Sequence, residues 1–405
     1  MINKFRVWLI DNKAAFFLFA ALIFGASIFY IDTHTSDKFK TSFMGGVLVE
    51  AHGMMMDIIL FGIILTLYER FTDKRKEIQR LHEEIDDYRG WDEPEAMYRI
   101  VGCIKRLNKK GVTKIDLKDC YLKKANLRNA NLQGADLQGA NLQEADFRVA
   151  GLRGANLKDV YLCTTNLQGA DLRGADLQYA NLERADLWGA DLRDVHLYAT
   201  NLRGANLHAA NLQGVNLWRA NLHAANLQDA KLQDANLFEA NLEGANLEGA
   251  DLQGANLQDA DLQYADLQGA NLERAKLQRA NLMKANLQAA NLQEADLWDT
   301  NLSYARLFEA NLFEAKLMKA NLERADLQAA DLVFANLQAA NLQEADLQGA
   351  DLQYADLQYA DLQGANLRNA KIDNLEGLEI INKASKKEHK ARLVETDIEK
   401  CYEII

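Results

Sequence analysis

Proline is nearly absent from this 405-residue chain, which contains only Pro94. Disordered segments are rich in proline and poor in large aliphatic residues, and a hydrophobic content of 49% excludes that class as well. Cysteine is scarce too. Cys103, Cys120, Cys163 and Cys401 show no CxxC spacing, so neither a disulfide framework nor a zinc module is in view. The four read as reduced thiols of a cytosolic compartment. No phosphate loop, metal-ligand cluster or nucleophile–base arrangement occurs, and His196, His208 and His223 read as solvated side chains. The sequence therefore predicts no enzyme, no cofactor and no metal site.

An excess of positive charge is also lacking. Residues 1–110 hold 16 basic and 15 acidic side chains, residues 375–405 hold 6 and 7, and residues 111–374 hold 24 and 36. The central tract thus accounts for the formal net charge of −12. Lys and Arg contacts to phosphate supply most non-specific affinity for nucleic acid, so direct nucleic-acid binding is not expected.

Two apolar runs stand near the start. Ala14–Ile31 carries no charge and is preceded by Lys4, Arg6 and Lys13, and Met44–Tyr68 follows. Each is long enough for a membrane span, and the lack of an A-x-A cleavage site favours an anchor over a signal peptide. Arg70, Lys74, Arg75, Lys76 and Arg80 follow the pair, against Lys38 and Lys40 between them. The positive-inside rule then predicts a two-helix transmembrane anchor over 1–68 in the inner membrane, with the N-terminus and the rest of the chain cytoplasmic. Glu50, His52 and Asp57 are its polar intramembrane candidates. Asp57 is read as packing against another helix, with an ion pathway as the alternative.

Residues 69–110 read as a cytoplasmic helical stalk and N-terminal cap. Phe71, Ile78, Leu81, Ile85 and Tyr88 give the stalk a short heptad-like stripe. A second helix follows, with Asp92 and Glu95 at capping-box spacing, Pro94 in the first turn and Gly111 at its end.

From Ile115 to Asn374 the chain divides into 52 consecutive pentads without an insertion. The third residue is Leu in 50 of them, Phe147 and Ile372 being the exceptions, and the residue before it is Asn or Asp in 43. The first is Ala except at Ile115, Cys120, Val160, Thr165, Val195, Thr200, Val215 and Thr300. A period of five gives no apolar face on an α-helix, and on a flat strand it throws alternate leucines to opposite sides. It works only if the backbone turns once per pentad, so that every Leu points to one axis and Asn or Asp stabilises the bend. The fourth and fifth residues are then left facing outward.

These residues resemble the pentapeptide-repeat family, whose A(D/N)LXX motif is met by Ala245-Asn246-Leu247-Glu248-Gly249. The resemblance implies an all-β solenoid, a right-handed quadrilateral β-helix of about 13 coils, preceded here by the helical hairpin and stalk. Residues 375–405 break the period and read as a C-terminal cap or a dimerising tail.

Stacking the tract at four pentads per coil aligns Tyr198, Trp218 and Phe238 in one column, with Trp298 and Met318 further along it, and Arg153, Arg173 and Arg193 in the next. Stacked guanidinium groups repel unless anions or carboxylates intervene, and aromatics beside arginine suit a binding hot spot. These two columns are the candidate partner-docking residues. The expected function is a membrane-anchored, non-enzymatic scaffold for an unknown cytoplasmic protein, with self-association also in view. Two alternatives stand beside it: a DNA-mimic regulator of a protein such as DNA gyrase, and an accessory subunit of a membrane transport or signalling complex.

Overall fold

The computed structural model describes residues 44–372, 391–395 and 400–404, and the chain divides into two compact units at Glu83. Helix α1 (Met44–Asp87) contains the second apolar run and continues into the charged segment without a break. Ala14–Ile31 lies outside the described residues.

The expected inner-membrane location is overturned. Among the described residues no helix is long and apolar enough to cross a membrane. The physical reason lies inside Met44–Tyr68, where Glu50 and Asp57 interrupt the run and are both exposed on α1; carboxylates are costly in hydrocarbon. His52 lies in the same helix.

Helix α2 (Pro94–Lys109) is strongly amphipathic and buries Ala96, Met97, Ile100, Val101, Cys103, Ile104 and Leu107. The expected capping box does not form. Glu93 is the N-cap, with extended dihedrals (φ −127°, ψ 143°) and no side-chain capping bond. A residue before proline is pushed out of the α region, so Pro94 moves the helix start one position beyond Asp92 and puts Glu95 out of register.

After α2 each pentad uses its residues in the same way. In Ala135–Gly139, Ala135 and Leu137 are buried, and Asp136 makes parallel bridges to Asp116 and Asn156. The Gln138 N–H donates to Asp136 Oδ1 at 3.3 Å, and the Ala140 N–H closes the corner onto the Leu137 carbonyl at 3.0 Å. The fifth residue of every pentad from Asp119 to Asn369 has positive φ. That left-handed residue turns the chain through the corner, so the next Leu points to the same axis. Bridges run from residue i to i+20 between Asp116 and Lys371; four pentads therefore make one four-sided coil.

The core is a column of leucines, nearly all 0–1% exposed, with small first-position residues between them. Burial contributes roughly 1.5–3 kcal/mol per Leu before entropy is subtracted. Three of the eight first-position exceptions are hydroxylated, and each hydroxyl is satisfied internally. Thr165, Thr200 and Thr300 donate to the carbonyls of Leu142, Leu177 and Leu277 at 2.8, 2.8 and 2.7 Å. Along the second position Asn side chains form ladders, as where Asn236 Nδ2 donates to Asn216 Oδ1 and Asn256 Nδ2 to Asn236 Oδ1, both at 3.2 Å. At the far end β1 (Lys371–Ile372), β2 (Ala391–Glu395) and β3 (Lys400–Ile404) form an antiparallel sheet in the order β1-β3-β2.

Candidate functional site

The fourth residue of a pentad stands on a side of the coil and the fifth stands at its corner. Tyr198, Trp218 and Phe238 occupy the fourth position in consecutive coils. Their ring centroids lie 5.1 Å and 6.2 Å apart with interplanar angles of 56° and 59°, the offset geometry aromatic pairs prefer. Tyr179, a fifth-position residue absent from the column read in the sequence, extends the ladder edge-on to Tyr198 at 5.4 Å. The Arg219 guanidinium lies 5.1 Å from the Trp218 ring centre and donates to Glu239 Oε2 at 2.6 Å. Glu239, and after it the Tyr198 hydroxyl, hold Arg219 above its ordinary pKa. Tyr198, Trp218 and Phe238 are half-buried, whereas Tyr179 is 56% exposed. Trp218 Nε1 is enclosed without an acceptor among the described residues. Trp298, further along the same side, lies under Lys319 Nζ at 5.8 Å, and Met318 is half-buried there.

Two of the three arginines in the column are already paired. Arg173 donates from Nε and Nη2 to Asp171 at 2.8 and 2.6 Å, and Arg193 grips Asp191 the same way at 2.9 and 2.6 Å. Arg173 also approaches Asp191 at 3.5 Å. The hydrogen bond from Arg173 holds the Asp171 carboxyl below its usual range, and the one from Arg193 does the same for Asp191. Arg153 is exposed and contributes only at longer range, as a minor depressor of Asp171. Arg173 and Arg193 thus create no demand for an outside anion.

Some fourth-position glutamines are paired as well. Gln168, Gln328, Gln338 and Gln343 donate to carboxylates of the next coil, on Asp186, Asp346, Asp356 and Asp361, at 2.5, 2.9, 2.6 and 2.6 Å. The sequence reading missed a second ladder as well, Phe313–Phe334–Tyr354, with centroids 5.8 and 4.8 Å apart and its last pair stacked at 11°. Tyr179–Tyr198 and Phe313–Phe334 join a fourth and a fifth position across a corner, one position short of or beyond a full coil, and a strict four-pentad column does not align such pairs. Phe334 and Tyr354 are both fifth-position residues one full coil apart, a column the sequence reading did not take up.

Cys103, Cys120 and Cys163 are free thiols, the first two buried. Burial pushes the Cys120 thiol up to about 12 and raises Cys103 as well, so both are poor nucleophiles. His208 Nδ1 lies 3.0 Å from the Gln228 carbonyl, and His223 stands 4.0 Å from Glu243. Among the described residues no group of three His, Cys, Asp or Glu side chains could hold a metal ion.

Comparison with known proteins matches eight copies of the pentapeptide repeats model to this chain, over 115–154, 155–194, 200–237, 240–279 and, with overlaps, 280–369. No curated protein matches in sequence. Among solved structures, the chain is 32% identical to HetL, a pentapeptide repeat protein involved in heterocyst differentiation regulation from the cyanobacterium Nostoc sp. strain PCC 7120, over 66% of this chain and 95% of that one, with a TM-score of 0.22. It is 34% identical to the pentapeptide repeat protein Rfr23 from the cyanobacterium Cyanothece 51142, over 28% and 88%, with a TM-score of 0.26. To QnrB1, a plasmid-mediated fluoroquinolone resistance protein, it is 18% identical over 52% and 94%, with a TM-score of 0.28. The repeat match implies the right-handed quadrilateral β-helix, in keeping with the four-sided, four-pentad register of the bridges. With the repeat model matched over more than half of its length, the chain belongs to the pentapeptide repeat family.

Proposed function

We propose that this protein is a non-enzymatic scaffold, a rod of about thirteen coils that docks a protein partner on one side. Helix α2 closes the N-terminal end of that rod. The observation that carries the reading is the aromatic ladder Tyr179–Tyr198–Trp218–Phe238 with Arg219 laid on Trp218. Trp, Tyr and Arg dominate the energetics of protein interfaces, and here they stand together on a rigid surface. Arg153, Arg173 and Arg193 line the neighbouring side as a supporting rim, since two of the three are tied to their own aspartates. A photo-crosslinking residue placed at Phe238 should capture a discrete partner, and the same residue at Gln348 should not. Trp218→Ala should abolish the capture while the rod stays folded. Equal capture from both positions, or capture indifferent to Trp218→Ala, rejects this docking face.

A second reading, an acidic DNA-like regulator of a protein such as DNA gyrase, draws on one feature. Residues 220–371 hold 11 basic and 23 acidic side chains. Inhibition of supercoiling by the full chain, lost when carboxylates of this half are neutralised, would favour it over the first.

A further inference from the structure

Inside the rod every side of a coil is held on both edges. In the interior pattern the second-position N–H donates to the preceding coil, while the second- and fourth-position carbonyls accept from it. Asp136 N–H to Ile115, Leu117 N–H to Asp136 and Asp119 N–H to Gln138 are one such set, at 2.9, 2.7 and 3.0 Å. The first coil has no coil before it. Side chains replace the missing strand on two of its sides. Asn108 exchanges two bonds with the Asn131 backbone, and Arg89 Nη1 donates to the Lys118 carbonyl at 2.5 Å.

On the other two sides nothing among the described residues does so. The N–H and C=O of Tyr121 and of Asn126, and the carbonyls of Lys123 and Arg128, have no partner on that edge. Beside the Tyr121 side lies a cleft of about 390 Å³ whose apolar wall is Pro94, Met97, Tyr98 and Tyr121. Lys123 and Lys124 form its other margin and share one carboxylate, Glu144, at 3.8 and 3.4 Å. Two ammonium groups thus share one carboxylate at that margin. Asp92 and Glu93 line the opposite side of the cleft, so its lining as a whole is not cationic and the unmatched charge is local to Lys124.

We propose that this open edge is a strand-addition site for an extended peptide segment of a partner protein that carries a carboxylate opposite Lys124. Unpaired strand edges template such addition, with main-chain bonds giving affinity and side-chain pockets giving selectivity. The segment runs parallel to Tyr121–Asn126 in the register of the missing coil. One of its carbonyls accepts from the Tyr121 N–H, and its N–H groups two and four residues later donate to the Tyr121 and Lys123 carbonyls. The latter residue stands over Lys124 as Glu144 does from the other side, so a carboxylate there completes the pairing. This site is independent of the aromatic ladder.

The test uses the full chain and an end-capped peptide of sequence ANLQEADLWD, identical to residues 290–299, which offers a glutamate in that register. Calorimetric titration should show binding, and hydrogen exchange should show new protection at Tyr121 and Asn126. N-methylating the peptide at its Glu and at the Leu nearest the N-terminus removes the two donors without touching the protein, and should weaken binding about tenfold or more. Lys124→Glu should weaken it by a similar factor, whereas Gln363→Ala at the far end should not. No binding at about 1 mM peptide, equal binding of the N-methylated peptide, or indifference to Lys124→Glu each overturns the proposal.

Discussion

Asn108 and Asn131 exchange two hydrogen bonds: the Asn131 N–H donates to Asn108 Oδ1 at 2.8 Å, and Asn108 Nδ2 donates to the Asn131 carbonyl at 2.8 Å. One side-chain amide thus does for the first coil what a backbone strand does for every later one. A third bond, from Nδ2 to the Val112 carbonyl at 3.1 Å, fixes the amide's orientation. Asn108→Ala should therefore destabilise the protein by about 1–2 kcal/mol, the net worth of two or three partly exposed hydrogen bonds. Urea unfolding measures it, with hydrogen exchange at Asn131 as the local readout. Asn108→Asp keeps the acceptor and loses the donor, and should fall between the two. An Asn108→Ala variant with unchanged exchange at Asn131 would refute the role.

The threonines in the core make a contrasting case. Thr200 Oγ1 donates to the Leu177 carbonyl at 2.8 Å, but that carbonyl also receives the Ala180 N–H at 3.0 Å. Removing the hydroxyl orphans no acceptor. Thr200→Ala restores the residue most pentads carry and should cost less than about 1 kcal/mol. Thr200→Leu forces bulk into a position enclosed by the neighbouring coils and should cost about 1–3 kcal/mol. A midpoint ranking with Leu at or above Ala would show that the first position is not sterically restricted.

The coil itself was legible because one requirement, a turn in every pentad, touches every position at once. Leu at the axis, a small residue beside it and Asn or Asp before the bend follow from the pentad alone, whereas the four-pentad register seen in the bridges from 116 to 371 was implied by the family resemblance. The surface was read less well for a geometric reason. Columns taken at four pentads keep Tyr198 with Trp218 but separate Tyr179 from Tyr198, whose rings lie 5.4 Å apart. The same reading left Gln343 facing solvent, although it donates to Asp361 on the next coil. It left open whether anions or carboxylates separate the stacked arginines, and for Arg173 the carboxylate is Asp171 of the same pentad. The capping box at Asp92 failed because Pro94 restricts Glu93, and that immediate-neighbour rule outweighed a longer-range one.

Arg173 and Arg193 give a pH dependence whose sign can be worked out. The hydrogen bonds they donate lower the carboxyl pKa values of Asp171 and Asp191 below the ordinary 3.8. A carboxyl with a depressed folded-state pKa contributes stability above its unfolded pKa and loses it as pH falls through the folded value. The contribution is therefore present at neutral pH and declines below about pH 4. A variant carrying Arg173→Gln and Arg193→Gln should lose that part of the decline. The difference in melting temperature between the wild-type chain and the variant should be larger at about pH 6 than at about pH 2.5. A difference independent of pH would show that the two arginines act through packing and not through charge.

Val149 is the pentad corner least suited to its residue. It has φ +57° and 61% exposure, so no burial offsets the crowding of a β-branched side chain in the left-handed region. That conformation costs an L-residue roughly 1–2 kcal/mol, least for Gly and little for Asn, whose short polar side chain tolerates it. Val149→Asn and Val149→Gly should therefore both raise stability, by up to about 1 kcal/mol. Gly gains less than its dihedral freedom suggests, because it also loosens the unfolded chain. Urea midpoints at unchanged slope should place Asn and Gly above Val. The Val149 N–H donates to the Gln168 carbonyl at 3.0 Å, and both variants retain that backbone bond. A loss of stability in both would then mean that the valine side chain makes a favourable contact at the corner.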